Sequence, residues 1–167
     1  MDELYELAGQ VGSVLKQQGW MLATAESCTG GWVGEAVTAI PGSSHWYDRG
    51  FITYTNAAKT AMLDVRADTL AQWGAVSEET VREMAAGALA HSDAAISVAI
   101  SGIAGPGGGS IEKPVGTVCL AWATRSGQTV ARTCHFNGDR TEVRRQAVVT
   151  ALRGVLQLAS PGAESML

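Results

Sequence analysis

Residues 20–39 read WMLATAESCTGGWVGEAVTA, and the fold follows from how this stretch divides. Trp20 to Ala25 form a short apolar run of the kind that makes a buried strand. Glu26-Ser27-Cys28-Thr29-Gly30-Gly31 is a turn, and over 31–39 a helical pattern resumes and stops before Pro41-Gly42. Strand, glycine turn and helix in immediate succession are the building unit of an α/β fold. Upstream, Leu4, Leu7, Val11, Val14 and Leu15 recur at helical spacing, which predicts an amphipathic helix over 3–18 stopped by Gly19.

Downstream, the loop PGSSHWYDRG leads to a second predicted strand, Phe51–Tyr54. Asn56 is expected to cap a helix through residue 63, and a short helix follows near 67–73. Ser77 is a good N-cap, and Glu78 and Glu79 in the next turn suit the dipole of a helix running to Ala90. Ala94–Ser101 reads as a fully buried strand. The glycine-rich segment GIAGPGGGSIEKP then leads into a strand at Val115–Thr124, and Arg125-Ser126-Gly127-Gln128 turns the chain into a hairpin over 129–136. Asp139 and Glu142 resemble a capping box that opens a final helix to about Leu158. The expected fold is a single three-layer α/β/α domain over 1–160, with a mixed, mostly parallel sheet containing an antiparallel hairpin. Residues 161–167 are expected to be a flexible tail.

The composition is that of an ordinary globular domain, with 46% apolar and 17% charged residues among 167. A net charge of −4 argues against nucleic acid as a bulk partner, since backbone binding needs surplus Lys and Arg. Cys28, Cys119 and Cys134 are odd in number and lack CxxC spacing, so a reducing compartment is the simpler reading. The N-terminus MDELYELAGQ is acidic and amphipathic, unlike a signal peptide, and no apolar run approaches the roughly 20 residues that span a bilayer. A cytoplasmic protein without membrane contact is expected.

In an open α/β sheet, ligands bind where strands end and helices begin. Two glycine-bearing loops occupy such positions, 26–31 and 102–110. Neither is a nucleotide fingerprint: Gly108 stands where a P-loop has its Lys, and GxGxxG is absent. Ser27 and Cys28 are the candidate nucleophiles, although spacing alone reads Ser27 beside a helix start first as an ordinary cap and Cys28 first as an inert buried thiol. The base is open as well. His91 and His135 have structural explanations, while His45 and a burial-neutralised Lys59 remain candidates. No His, Asp or Glu cluster has metal-ligand spacing, which argues against metal-dependent chemistry.

Taken together, several ordered segments resemble the CinA C-terminal domain family. They are Thr24-Ala-Glu-Ser-Cys-Thr-Gly-Gly31, Pro41-Gly-Ser-Ser44, Gly50-Phe-Ile-Thr-Tyr-Thr-Asn56 with Ala58-Lys59, Gly74-Ala-Val-Ser-Glu78, Ser101-Gly-Ile-Ala-Gly-Pro106 and Lys113-Pro-Val-Gly-Thr117, completed by Gly138-Asp-Arg140. The resemblance spans about residues 5 to 155 and is closest to stand-alone members lacking a fused molybdopterin-binding-like domain. It implies hydrolysis of the carboxamide of nicotinamide mononucleotide in pyridine nucleotide salvage, with no metal or organic cofactor. Ser27 becomes the nucleophile, with Lys59 as proton acceptor and Tyr54 as orienter or second proton carrier. Thr29, Gly30 and Gly31 are expected to line the carboxamide pocket. Ser44, Asn56, Ser101, Gly102 and Arg140 are expected to contact ribose and phosphate. Two departures stand out: Ser101 replaces the Thr of many relatives, and Gly107 replaces an Asp. The resemblance also implies self-association into a homo-oligomer, for which the loop aromatics Trp46 and Tyr47 are candidate contacts. The competing reading is a non-catalytic nucleotide-binding or competence-associated regulatory module.

Overall fold

The computed structural model describes residues 2–162, so most of the expected tail, residues 163–167, lies outside the described residues. Five strands form one sheet in the order β2-β1-β3-β4-β5. They are β1 (Leu22–Glu26), β2 (Tyr47–Ile52), β3 (Ile96–Gly102), β4 (Thr117–Thr124) and β5 (Thr129–His135). β1 pairs in parallel with β2 and β3, while β4 is antiparallel to both its neighbours. β4 therefore opposes the common direction of the other four, as the hairpin reading requires.

The two faces of the sheet differ in side-chain size, and this sets the layers. Leu22, Ile96, Val98, Ile100, Val118, Leu120 and Trp122 point into a core shared with α1 (Glu3–Gln18), α2 (Trp32–Thr38) and α6 (Arg140–Ala159). On the other face the strands present Ala23, Ala25, Ala99, Cys119, Ala121 and Ala123 to α5 (Glu78–Ala90). Alternation along each strand sorts the side chains this way, and the small residues let α5 lie close to the sheet. α3 (Asn56–Leu63) and α4 (Ala67–Trp73) pack against α5. A Cβ built on Gly87 of α5 would stand 2.0 Å from the Leu63 carbonyl oxygen, so that crossing depends on glycine.

Local chemistry explains most helix boundaries. Asp2, Ser77 and Asp139 each accept a backbone N–H at the start of α1, α5 and α6, and Gly19 ends α1 at φ 71°. Two expectations need correction. The second strand is Tyr47–Ile52 rather than Phe51–Tyr54, and the segment taken as its loop holds a 3₁₀ turn, Ser43–His45, and the first four strand residues. This is an edge strand, half-buried to exposed, so it lacks the apolar pattern that marks buried strands. The cap of α3 is Thr55, whose hydroxyl accepts from the Ala58 amide, and Asn56 is the first helical residue.

The aromatic pair expected at a contact surface is also corrected. Trp46 is buried against Gly12, and Tyr47 is half-buried with its hydroxyl 2.8 Å from Thr24 Oγ1. No helix among the described residues is long and apolar enough to cross a membrane.

Candidate active site

The parallel strands β1, β2 and β3 all end at the same edge of the sheet. Ser27 follows β1 directly, and its amide donates to the Ile100 carbonyl of β3 (3.0 Å). Thr53 continues from β2, its amide donating to the Glu26 carbonyl (2.8 Å), and the chain then turns through Tyr54 into α3. Lys59 sits one turn into α3 and points back under the strand ends, where only 1% of it is exposed.

The Lys59 amine makes three contacts: to Ser27 Oγ at 3.0 Å, the Thr53 carbonyl at 2.8 Å and the Tyr54 carbonyl at 3.3 Å. No carboxylate hydrogen-bonds or ion-pairs with it among the described residues. Burial therefore holds the Lys59 pKa below its ordinary value, because a charged ammonium loses hydration that neutral carbonyls replace only in part. A neutral amine has two N–H groups and one lone pair. An amine that gives both to the carbonyls has its lone pair left for the serine hydroxyl, whereas an ammonium donates to all three oxygens.

Ser27 and Lys59 line a cavity of about 260 Å³ together with Cys28, Tyr54, Ser101, Gly102 and Arg140, closed by Ala75, Val76 and Ala104. Four larger grooves, of about 280 to 520 Å³, lie elsewhere, and none is lined by Ser27 or Lys59. The one of about 410 Å³ has Thr117 Oγ1 3.4 Å from His135 Nδ1 and Thr133 Oγ1 2.7 Å from Glu78, but no buried amine beside a hydroxyl. The Cys28 thiol is pushed up to about 11 by burial, which the nearby Arg144 charge only partly offsets. A thiol raised this far is protonated at neutral pH and a poor nucleophile, although Cys28 lines the same cavity as Ser27.

Six of the eleven site residues read from the sequence are brought together here: Ser27, Tyr54, Lys59, Ser101, Gly102 and Arg140. Tyr54 contributes its backbone carbonyl to Lys59, while its ring is 62% exposed and its hydroxyl lies 3.4 Å from Arg140 Nη2. Arg140 Nη1 donates to the Gly105 carbonyl (2.9 Å), tying the start of α6 to the glycine-rich loop. Arg140 makes no ion pair with Asp139 or Glu142 among the described residues.

Five residues fall outside the cavity. The Thr29 hydroxyl is turned down onto Glu26 (2.6 Å). Gly30 donates its amide to the Ser27 carbonyl, and Gly31 is the N-cap of α2; both shape the loop at φ 60° and 106°. Asn56 is exposed on the first turn of α3. Ser44 lies in the 3₁₀ turn before β2, at the opposite end of the strands from Ser27. The same placement removes His45 as a base. His91 caps the end of α5 and contacts Asp64 at 2.6 Å, and His135 closes β5.

Sequence reading missed Glu26 and Arg144. Glu26 is 2% exposed, and its carboxylate accepts from Thr29 Oγ1, Val33 N and Gly34 N. Arg144 donates to the carbonyls of Cys28 and Thr29 and stacks on Trp32. The available signals were an acid closing an apolar strand run and a second arginine one turn beyond Arg140.

A serine hydroxyl stands 3.0 Å from a buried amine at the strand ends of an α/β sheet, where folds of this class bind their ligands. The match of residues 4–159 to the CinA C-terminal domain model is equally direct, and the chain belongs to that family. It is 57% identical over 155 residues to the nicotinamide-nucleotide amidohydrolase PncC of Escherichia coli (strain K12), covering 93% of this chain and 94% of that protein. It is 49% identical over 160 residues to the Pseudomonas putida protein of the same name, covering 96% and 99%. Its fold superposes with a TM-score of 0.94 on the crystal structure of the competence/damage inducible protein CihA from Agrobacterium tumefaciens, at 47% identity and 96% and 98% coverage.

Proposed function

We propose that this protein is a serine amidohydrolase that converts nicotinamide mononucleotide to nicotinate mononucleotide and ammonia. The observation that carries the reading is the 3.0 Å contact between Lys59 Nζ and Ser27 Oγ in a buried setting, where no carboxylate contacts the amine among the described residues. The names of the relatives support the substrate class.

Neutral Lys59 takes the Ser27 proton as Oγ attacks the carboxamide carbon, which the pyridinium ring makes electron-poor. The C=O electron pair moves onto oxygen, giving a tetrahedral oxyanion. Its donors are the amide of Cys28, next to the nucleophile, and that of Gly102. The pairing of Ile103 N with Thr117 O turns the Gly102 amide away from β4, toward the end of β1. The Lys59 ammonium then returns its proton to the departing nitrogen, the C–N bond breaks, and ammonia leaves an acyl-Ser27 ester. Water, deprotonated by the same amine, hydrolyses the ester and restores Ser27. The base role falls to Lys59 rather than Tyr54, because the Tyr54 hydroxyl sits at Arg140. Arg140 keeps further N–H donors free for a phosphate, and Tyr54 covers the cavity mouth beside it.

The test is ammonia release from nicotinamide mononucleotide by the purified chain without added metal, run beside a panel of amides that includes free nicotinamide. Ser27→Ala should stay folded and lose the activity; an active Ser27→Ala would overturn the nucleophile assignment. Tight nucleotide binding without ammonia release would favour the regulatory-module reading.

A further inference from the structure

Two charged groups that do not line the cavity grip the loop carrying Ser27 from opposite sides. The loop needs such a grip, because Gly30 and Gly31 both sit at positive φ and the Gly30 amide bond to the Ser27 carbonyl is its main internal tie. α2 has no N-cap side chain of its own: Gly31 supplies none. Glu26 does that work from the far side of the loop. Its carboxylate accepts from Val33 N (2.9 Å), Gly34 N (3.1 Å) and Thr29 Oγ1 (2.6 Å), so the last residue of β1 is bonded to the first turn of α2. Ser27 lies between the two anchored ends.

From the other side, Arg144 Nε donates to the Cys28 carbonyl (3.0 Å) and Nη2 to the Thr29 carbonyl (3.2 Å). Its guanidinium also stacks on Trp32, the first residue of α2, at 5.5 Å. A planar fork can hold two successive carbonyls and a ring at once, and an ammonium cannot. Pinning the Cys28 carbonyl fixes the peptide plane directly after the nucleophile. Arg144 lies one helical turn from Arg140, so α6 presents one guanidinium to the cavity and one to the loop.

We infer that Glu26 and Arg144 are positioning residues that clamp the 27–31 loop and hold Ser27 Oγ within reach of Lys59. The inference rests on the Ser27–Lys59 reading above. Neither residue touches a reacting atom, so their effect belongs in kcat rather than in KM. A nucleophile misplaced by about 1 Å loses on the order of a hundredfold in rate.

The experiment compares Arg144→Met, Arg144→Lys, Glu26→Gln and Ser27→Ala in the full chain, measuring ammonia release from nicotinamide mononucleotide across pH together with thermal melting. Arg144→Met should lower kcat by about ten- to a hundredfold with KM within about twofold of the parent. The midpoint of the acid limb should not move, and Arg144→Lys should recover part of the loss. Glu26→Gln should behave like Arg144→Met. A folded Arg144→Met with kcat within about threefold of the parent would overturn the clamp. So would a shifted acid limb with full recovery at higher pH, which would make Arg144 an electrostatic neighbour of Lys59. If Arg144→Met does not fold, Arg144→Lys decides: a kcat loss at constant KM supports the clamp and parental kcat overturns it. An active Ser27→Ala would instead mark failure of the underlying reading. An inactive Ser27→Ala beside parental Arg144 variants would mark failure of the clamp alone.

Discussion

Replacing Lys59 by Met keeps the length of a buried side chain and removes the group proposed to take the Ser27 proton. The amine's contact with Ser27 Oγ at 3.0 Å is direct, so no water can substitute for it without entering a site that is 1% exposed at this residue. A positioned general base contributes roughly 10²–10⁴ in rate. The expected fall in kcat/KM is of that size, equivalent to about 2.7–5.4 kcal/mol of transition-state stabilisation. The cost in stability is smaller. The Thr53 carbonyl loses its 2.8 Å donor, a penalty of about 1–3 kcal/mol for a buried acceptor left unpaired. Relief from burying an amine acts the other way. At about 2–4 °C per kcal/mol for a chain of this size, the melting temperature should fall by no more than roughly 12 °C. A coupled ammonia assay with nicotinamide mononucleotide and a thermal melt on the same preparation give both numbers. A folded Lys59→Met with kcat/KM within about tenfold of the parent would refute the base assignment, because no geometric base then operates through this amine.

Four other outcomes follow from the same structure. Because the Lys59 pKa is lowered in the folded protein, the unfolded chain binds more protons between that lowered value and 10.5, so this residue makes stability rise with pH across that window. Urea melts of parent and Lys59→Met at several alkaline pH values should differ by a rising slope of at most about 1.4 kcal/mol per pH unit; parallel curves would contradict the shift. Gly87→Ala should lower stability by about 1–3 kcal/mol or more, since its Cβ would stand 2.0 Å from the Leu63 carbonyl oxygen; an unchanged melting temperature would show that α3 and α5 separate freely. Arg140→Ala should raise KM for nicotinamide mononucleotide by at least about tenfold, as expected for loss of a charge-assisted phosphate contact, with a smaller effect on kcat; an unchanged KM would place the phosphate elsewhere. Iodoacetamide at neutral pH should leave activity intact, because burial raises all three cysteine pKa values, Cys28 to about 11.

The parts of the fold legible in the sequence are those where burial imposes a period. α1, α5 and the buried strands carry one-sided or continuous apolar patterns, and Ser77 and Asp139 mark helix starts by their own hydrogen bonds. β2 was misplaced because an edge strand reading YDRGFI is half wet and carries no such pattern. Thr55 rather than Asn56 caps α3 because both residue types can cap, and the backbone alone decides which stands in the extended position. For the site, local spacing reads Ser27 first as an ordinary cap and offers Lys59 only as one candidate base beside His45. Their pairing came from the ordered family motifs. The direction of Lys59 depends on where α3 leaves β2, which a linear sequence does not encode. Thr29, Gly30 and Gly31 were expected in the pocket because the family motif Thr24–Gly31 implied it. The carboxylate of Glu26 instead draws Thr29 downward, and the Gly30 amide closes the turn itself.

The central claim is that Ser27 carries the acyl group between two half-reactions. The most direct measurement is mass spectrometry of the peptide containing Ser27 after rapid acid quench of enzyme mixed with excess nicotinamide mononucleotide. Hydroxylamine partitioning in a parallel sample reports any intermediate too short-lived to accumulate. The expected result is the nicotinate mononucleotide acyl group on Ser27, or its hydroxamate in the hydroxylamine sample. The same adduct on another residue, or neither product while the enzyme turns over, would contradict it.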